Sequence, residues 1–273
     1  MATIVGAFGV PHNPHFPTWA ASGDVRGREV QPLYDGVRAE LERARPDVLV
    51  VVTSDHYNAF WESLPIFQIP VCESARGPSD YPQLGVRDIA LDASLARHLQ
   101  RSLVAAEFDV GMTQELELDH TIVAPLSFLE PDGRLPIVPV FVNAFVRPLP
   151  SARRCAALGR ALRAAIETYE SDARVAIVAS GSFSLEVGGP RISDVAHVGV
   201  PDPEWVGRVL ALLRAGRFDT LVTEATDEQL WKAGNAGGEL LDWIVALSAI
   251  DPGPPAFLEP QMAHGHAFGA WPR

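Results

Sequence analysis

The stretch Ile4-Val5-Gly6-Ala7-Phe8-Gly9-Val10-Pro11-His12 is an apolar run that closes on a histidine, and Val48-Leu49-Val50-Val51-Val52-Thr53-Ser54-Asp55-His56 repeats the design. Short, β-branched apolar runs read as strands buried on both faces, as in a parallel sheet. The strand-like runs fall near 3–10, 47–53, 64–71, 135–142 and 173–180. Helical spacing lies between them. Val30, Leu33, Tyr34, Val37 and Leu41 mark one apolar face, and Leu158, Leu162, Ile166 and Tyr169 mark another behind a candidate cap at Ser151. Asp202-Pro203 opens a further helix that Gly216 closes. Thr226 with Gln229 reads as a capping box. A last helix starts around Gly237-Gly238 and runs through Leu247. Strands alternating with helices predict an α/β fold: a central mostly parallel or mixed sheet flanked by helices, one domain over 1–273. Segment 57–91 reads as an elaborated active-site loop or side hairpin, and 252–273 as a loop-like tail.

The bulk numbers narrow the partners. The chain has 273 residues, is 47% apolar and 21% charged, and carries a formal net charge of −12. That balance suits a globular core and argues against nucleic acid or an anionic membrane, both of which select a basic face. Cys72 and Cys155 form no C-x-x-C pair and read as small, reduced hydrophobes. No apolar run reaches the roughly 18 residues of a membrane span. No basic segment precedes the first apolar stretch, so the expected location is the cytoplasm.

Ligands of open α/β sheets gather outside the carboxyl ends of the strands. His12 and His56 each follow a strand directly, which makes them candidate metal ligands. Glu239 is the best carboxylate to join them, although an acid in the first turn of a helix also simply complements the macrodipole. Two imidazoles and one carboxylate with open positions suit non-heme Fe(II), and zinc hydrolysis is a chemical alternative. Asp55 orients a neighbouring group or caps the turn after its strand. His15 is a further candidate near the site, and His98 reads as a packing residue. The roles of His264 and His266 stay open. The chain has no G-x-x-x-x-G-K-[ST], G-x-G-x-x-G or H-E-x-x-H motif. Ser180-Gly181-Ser182 lacks the spacing of a nucleophile elbow.

Taken in order, these elements resemble the class III extradiol ring-cleavage dioxygenases, in particular their protocatechuate-cleaving catalytic β subunits. Pro11-His12 and Ser54-Asp55-His56 resemble the first two iron ligands. Ala233-Gly234, Glu239-Leu240 and Trp243 resemble the segment with the third. Leu118-Asp119-His120-Thr121 with Pro125-Leu126 matches an Asp-His…Pro-Leu element. The resemblance implies Fe(II) bound by His12, His56 and Glu239, a small catechol-like or aminophenol-like aromatic and O2 as reactants, and a homo-oligomer. A small partner subunit covers the site in the protocatechuate enzyme. It also shows a departure. Where members carry Ser-His as an acid–base, this chain reads Ser184-Leu185. Leucine moves no proton, so His120, a second active-site base in some members, is the expected catalytic group. Glu186 or His197 reaching in from nearby loops is a competing account, Glu186 being the weaker of the two, and Ser184 and Leu185 would line the pocket. A catalytically impaired relative that serves as a subunit or binding protein, or a divalent-metal hydrolase or lyase on the same scaffold, remains an alternative reading.

Overall fold

Each of the two opening runs becomes a strand with a crossover between them, and the rest of the sheet forms around that pair. The computed structural model describes residues 1–56, 58–60, 62–192 and 197–273. In chain order the first half comprises β1 (Thr3–Val10), α1 (Phe16–Ser22), α2 (Val25–Ala44), β2 (Val48–Thr53), β3 (Phe67–Pro70), β4 (Ser74–Gly77), β5 (Arg87–Ala90), α3 (Ala93–Ala105), β6 (Val110–Thr113), α4 (His120–Leu129) and β7 (Ile137–Val142). The second half comprises α5 (Ala152–Thr168), β8 (Arg174–Ser180), β9 (Glu186–Val187), β10 (Val198–Gly199), α6 (Pro203–Arg214), α7 (Phe218–Glu224), α8 (Asp227–Lys232), α9 (Leu240–Ser248), β11 (Phe257–Gln261) and β12 (His266–Pro272).

Eight strands form one mixed sheet in the order β11-β12-β1-β8-β2-β7-β3-β6. The centre is parallel: β8 pairs with both β1 and β2, and β2 pairs with β7. β2 is buried along its whole length, and β1 is buried after its first residue. Alternate residues serve opposite faces. Val48, Val50 and Val52 join the core under α5 and α9, whereas Leu49 and Val51 join the core under α2 and α4. Neighbouring strands lie roughly 4.8 Å apart, so β1 and β2 stand about 10 Å apart across β8. Side chains leaning inward from their ends therefore meet above the end of β8.

The expected α/β architecture is the one observed, and the expected caps form. Ser151 accepts from Arg154 N, Asp202 from Trp205 N and Thr226 from Gln229 N. The capping box is one-sided, since the Gln229 amide donates to Asp202 instead. Segment 57–91 contains β3 and a β4–β5 hairpin. The 64–71 run shortens to β3, with Pro65 ahead of it and Pro70 as its last residue. The tail is a correction: 252–273 is not loop-like but supplies β11 and β12, with β12 antiparallel to β1 and buried from His266 to Trp271. Pro254, Pro255, Gly265 and Gly269 obscure it locally, and pairing with β1 makes it a strand. No helix among the described residues is long and apolar enough to cross a membrane.

The closest helix packing tests this account. A Cβ placed on Gly159 of α5 would stand 2.2 Å from the Val245 carbonyl of α9. Alanine gains up to about 1 kcal/mol over glycine in a helix interior. Overpacking against backbone typically costs about 1–3 kcal/mol. Gly159→Ala is therefore expected to lower the urea midpoint despite its better helix propensity.

Candidate metal centre

Three strand ends and one helix start build the site. β1 delivers His12, β8 ends at Ser180 between the histidine strands, and β2 delivers His56. α9 packs on these strands and brings Glu239, the residue at its N-cap, to their ends. Gly181 permits that approach, because a Cβ there would lie 2.8 Å from the Glu239 Cβ. The Trp243 indole N–H donates to the Gly181 carbonyl at 3.0 Å and locks the helix in place.

Glu239 is wholly buried. Its Oε2 accepts from Ser182 N at 2.7 Å, which leaves Oε1 facing the histidines. His12 Nε2 lies 3.2 Å and His56 Nε2 3.3 Å from that one oxygen. Burial alone would raise the Glu239 pKa, but the His12 and His56 imidazoles outweigh it and hold the carboxylate below its ordinary range. One turn on, Asp242 is also fully buried, with Oδ2 accepting from Ser54 Oγ at 2.8 Å. Burial, with the Glu239 charge adding to it, pushes Asp242 well above the usual carboxylate range. Asp242 therefore stays protonated, and Glu239 supplies the one negative charge of this pair.

The protons on His12 can be assigned. Ser180 Oγ donates its single proton to the Thr121 carbonyl at 2.7 Å. At 3.0 Å from His12 Nδ1 it can then only accept, so Nδ1 carries the hydrogen. Nε2, which faces Glu239 Oε1, is therefore the nitrogen left to bind a cation when the ring is neutral. His56 Nε2 is buried and makes no well-directed hydrogen bond despite its short distance to Glu239. Two imidazole nitrogens and a carboxylate oxygen converging at one buried point are a donor set that a divalent cation satisfies. The residues present fit a metal.

His120 joins from the other face of the sheet. As the first residue of α4, it has a ligand nitrogen within 4.8 Å of those of His12 and His56. Its Nδ1–H is held by Asp80, which also accepts from His120 N at 3.0 Å. Burial outweighs Asp80 and lowers the His120 pKa, so the ring is neutral, with its Nε2 lone pair free. Asp119 caps α4 and accepts from His56 N at 3.1 Å, tying the two histidine segments together. Tyr81 lies edge-on to His120 at 5.4 Å, and exposed His15 lies beside Tyr81 at 5.5 Å.

The remaining expected residues serve as scaffold. Asp55 accepts from the backbone N–H groups of Asn58, Ala59 and Phe60 and shapes the turn after His56. Ser184 is buried, donating to the Ala233 carbonyl and accepting from Asp202 N. Leu185 is half-buried, and its backbone pairs with Ala233 and Ala236 in the loop that leads to Glu239. Glu186 is engaged by Arg191 and by Asn235 N. His197 is exposed. His98 bonds the Ala165 carbonyl, as a packing residue would. Sequence reasoning missed Asp80, Tyr81 and the role of Ser180. Asp80 and Tyr81 lie in an irregular loop, where no periodicity flags a residue.

Known proteins resemble this chain in sequence and in fold. Residues 6–270 match the family model described as the catalytic LigB subunit of aromatic ring-opening dioxygenase. A gallate dioxygenase of Pseudomonas putida is 37% identical over 64% of this chain and 49% of its own length. The chain thus spans about half of that relative. A 2,3-dihydroxyphenylpropionate/2,3-dihydroxicinnamic acid 1,2-dioxygenase of Rhodococcus globerulus is 25% identical over 88% of this chain and 87% of its own. The equivalent enzyme of Paraburkholderia xenovorans is 28% identical over 81% of each. The crystal structure of an uncharacterized Escherichia coli K12 protein shares the fold, with a TM-score of 0.59 at 17% identity over 97% of this chain and 98% of that one.

Removing the Ser180 hydroxyl strands His12 Nδ1 and the Thr121 carbonyl together. Loss of such a partner typically costs roughly 10–100-fold in metal affinity. Ser180→Ala is expected to weaken divalent-cation binding by that factor in a chelator competition assay.

Proposed function

The chain belongs to the family of catalytic LigB subunits of aromatic ring-opening dioxygenases, and on that premise we propose that it opens the ring of a carboxylate-bearing catechol with O2, using Fe(II) held by His12, His56 and Glu239. The observation that carries this reading is the convergence of two imidazole nitrogens on one buried carboxylate oxygen, at 3.2 and 3.3 Å. The named relatives support the substrate class, since gallate and dihydroxyphenylpropionate are both phenolic acids.

Iron bound there supplies the redox chemistry that lets O2 react with an aromatic ring. The chain's own groups hold the substrate and manage protons. Fixing both reactants at one point removes much of the entropy of their meeting. His120, with Asp80 on Nδ1, presents Nε2 to accept a proton from a substrate hydroxyl and return it to the opened product. Asp80 stabilises the imidazolium that forms in between. Leu185 stands where the family resemblance places a histidine, so proton transfer falls to His120 and that wall of the pocket is apolar.

The test is anaerobic Fe(II) loading followed by oxygen uptake with a panel of catechols. Uptake matched to ring opening is the expected result. Metal binding with no turnover across the panel, or turnover that persists without O2, overturns the reading. His12→Ala and Glu239→Ala should each abolish iron retention, and full occupancy in either variant would remove that residue from the ligand set.

Leu185→His probes the departure. A general acid–base group contributes about 10²–10⁴-fold, so a histidine there should raise the rate on simple catechols where proton transfer limits it. A fall in an existing activity would instead place Leu185 in a specialised apolar pocket.

A further inference from the structure

Two imidazoles outside the proposed ligand set sit on the turn that leads into β12. His266 is buried, edge-on to Phe16 at 5.8 Å, with Nε2 donating to Gln261 Oε1 at 2.8 Å. Burial, helped by the neighbouring His264, lowers its pKa to about 3, and the charges of Glu239 and His12 also act on this ring. His266 is therefore neutral, and the chain just before it is tied to the centre: the Gly265 carbonyl accepts from Phe183 N, the residue after the Ser182 amide that holds Glu239. His264 stacks on it with ring centroids 5.7 Å apart and planes 14° from parallel. It is half-buried, and its ring makes no side-chain hydrogen bond to any described residue.

The turn itself is fixed. The Gly265 carbonyl accepts from Phe183 N at 2.8 Å and Ser184 N at 3.1 Å. A Cβ on Gly265 would lie 1.8 Å from the Ser184 carbonyl, so no larger residue fits without moving the turn. His264 is thus held one stacked ring beyond His266, on a turn bonded to the segment that runs into Leu185.

Resting on the function proposed above, we propose that His264 receives the carboxylate on the far side of the substrate ring, its imidazole N–H donating to the acid. A catechol whose two oxygens reach the centre carries its distal substituent about one ring-width further out. The 5.7 Å between the His266 and His264 ring centroids is of that order. The same offset puts His264 too far from the catechol oxygens to move their protons. Among the described residues, the two arginines that stack on Trp231 already have carboxylate partners. Arg147 pairs with Asp227 at 3.1 Å and Arg191 with Glu186 at 2.9 Å. His15 is exposed and stacks on Trp19.

Gallate and pyrogallol make the test, because they share three hydroxyls and differ by the carboxylate. Anaerobic affinity for the iron-loaded protein and kcat/KM from oxygen uptake are measured for both, and the gallate-to-pyrogallol ratio is the readout. A hydrogen bond to a charged group implies that the wild-type preference for gallate falls roughly ten-fold or more in His264→Ala, mainly through KM. His264→Lys, which restores a donor and a charge, should recover it. The inference is overturned if wild type shows no preference for gallate. It is also overturned if the ratio is unchanged in His264→Ala, or if kcat falls equally on both compounds, as a proton-transfer role would give. A wild type that binds gallate selectively but consumes no oxygen with any catechol would overturn the proposed activity and leave this inference standing. Because the ratio is internal to each variant, a partly misfolded preparation does not alter it.

Discussion

One buried carboxylate oxygen faced by two imidazoles organises this protein. A carboxylate taken out of water costs several kcal/mol unless opposite charge and hydrogen bonds replace its hydration. At Glu239 the replacement comes from His12, His56 and the Ser182 amide. Each partner arrives on a different element, so the charge can be accommodated only when β1, β2, β8 and α9 are all in place. The small residues around it follow from the same demand. Gly181 makes room for Glu239, and Gly9 makes room for the Trp243 indole, whose atoms a Cβ there would meet at 2.3 Å. Asp242 marks the limit, since a second carboxylate one turn along remains only by keeping its proton.

Rigid and irregular parts of the fold divide the work. The candidate ligands sit at the ends of buried strands and at the start of a buried helix, where packing sets their positions. The groups around them come from connections: Asp80, which holds His120, and Tyr81 between β4 and β5, Phe145 after β7, edge-on to His56 at 4.6 Å, and His264 before β12. Variation in those connections can retune what is bound without disturbing what binds it.

Legibility in the sequence followed the range of the interactions. β1, β2, β7 and β8 were readable because burial on both faces imposes unbroken β-branched runs, and the helices of the second half because their caps are local. His12 and His56 were readable from their places behind such runs. Glu239 was ambiguous by itself, since a first-turn acid has an ordinary electrostatic reason to be there. β11 and β12 were not readable. Prolines and glycines hide their pattern, and the partner that makes β12 a strand lies at the opposite end of the chain. Asp80 escaped for a related reason, because only tertiary folding brings its carboxylate to the His120 ring. The consequence of Leu185 needed the resemblance as well, since a leucine after a strand is otherwise unremarkable.

His12 and Glu239 are separated by 227 positions, and His12 and Ser180 by 168. No hairpin or helix pair owns more than one of the three donors, so the cluster closes only when the long-range pairings are made. A cation seated there acts as a rivet through the whole sheet rather than a clip on one loop. By mass action its stabilisation would be shared by every element that must come apart to release it. Chelation would then loosen the entire domain at once, and occupancy would double as a sign that the polypeptide has finished assembling.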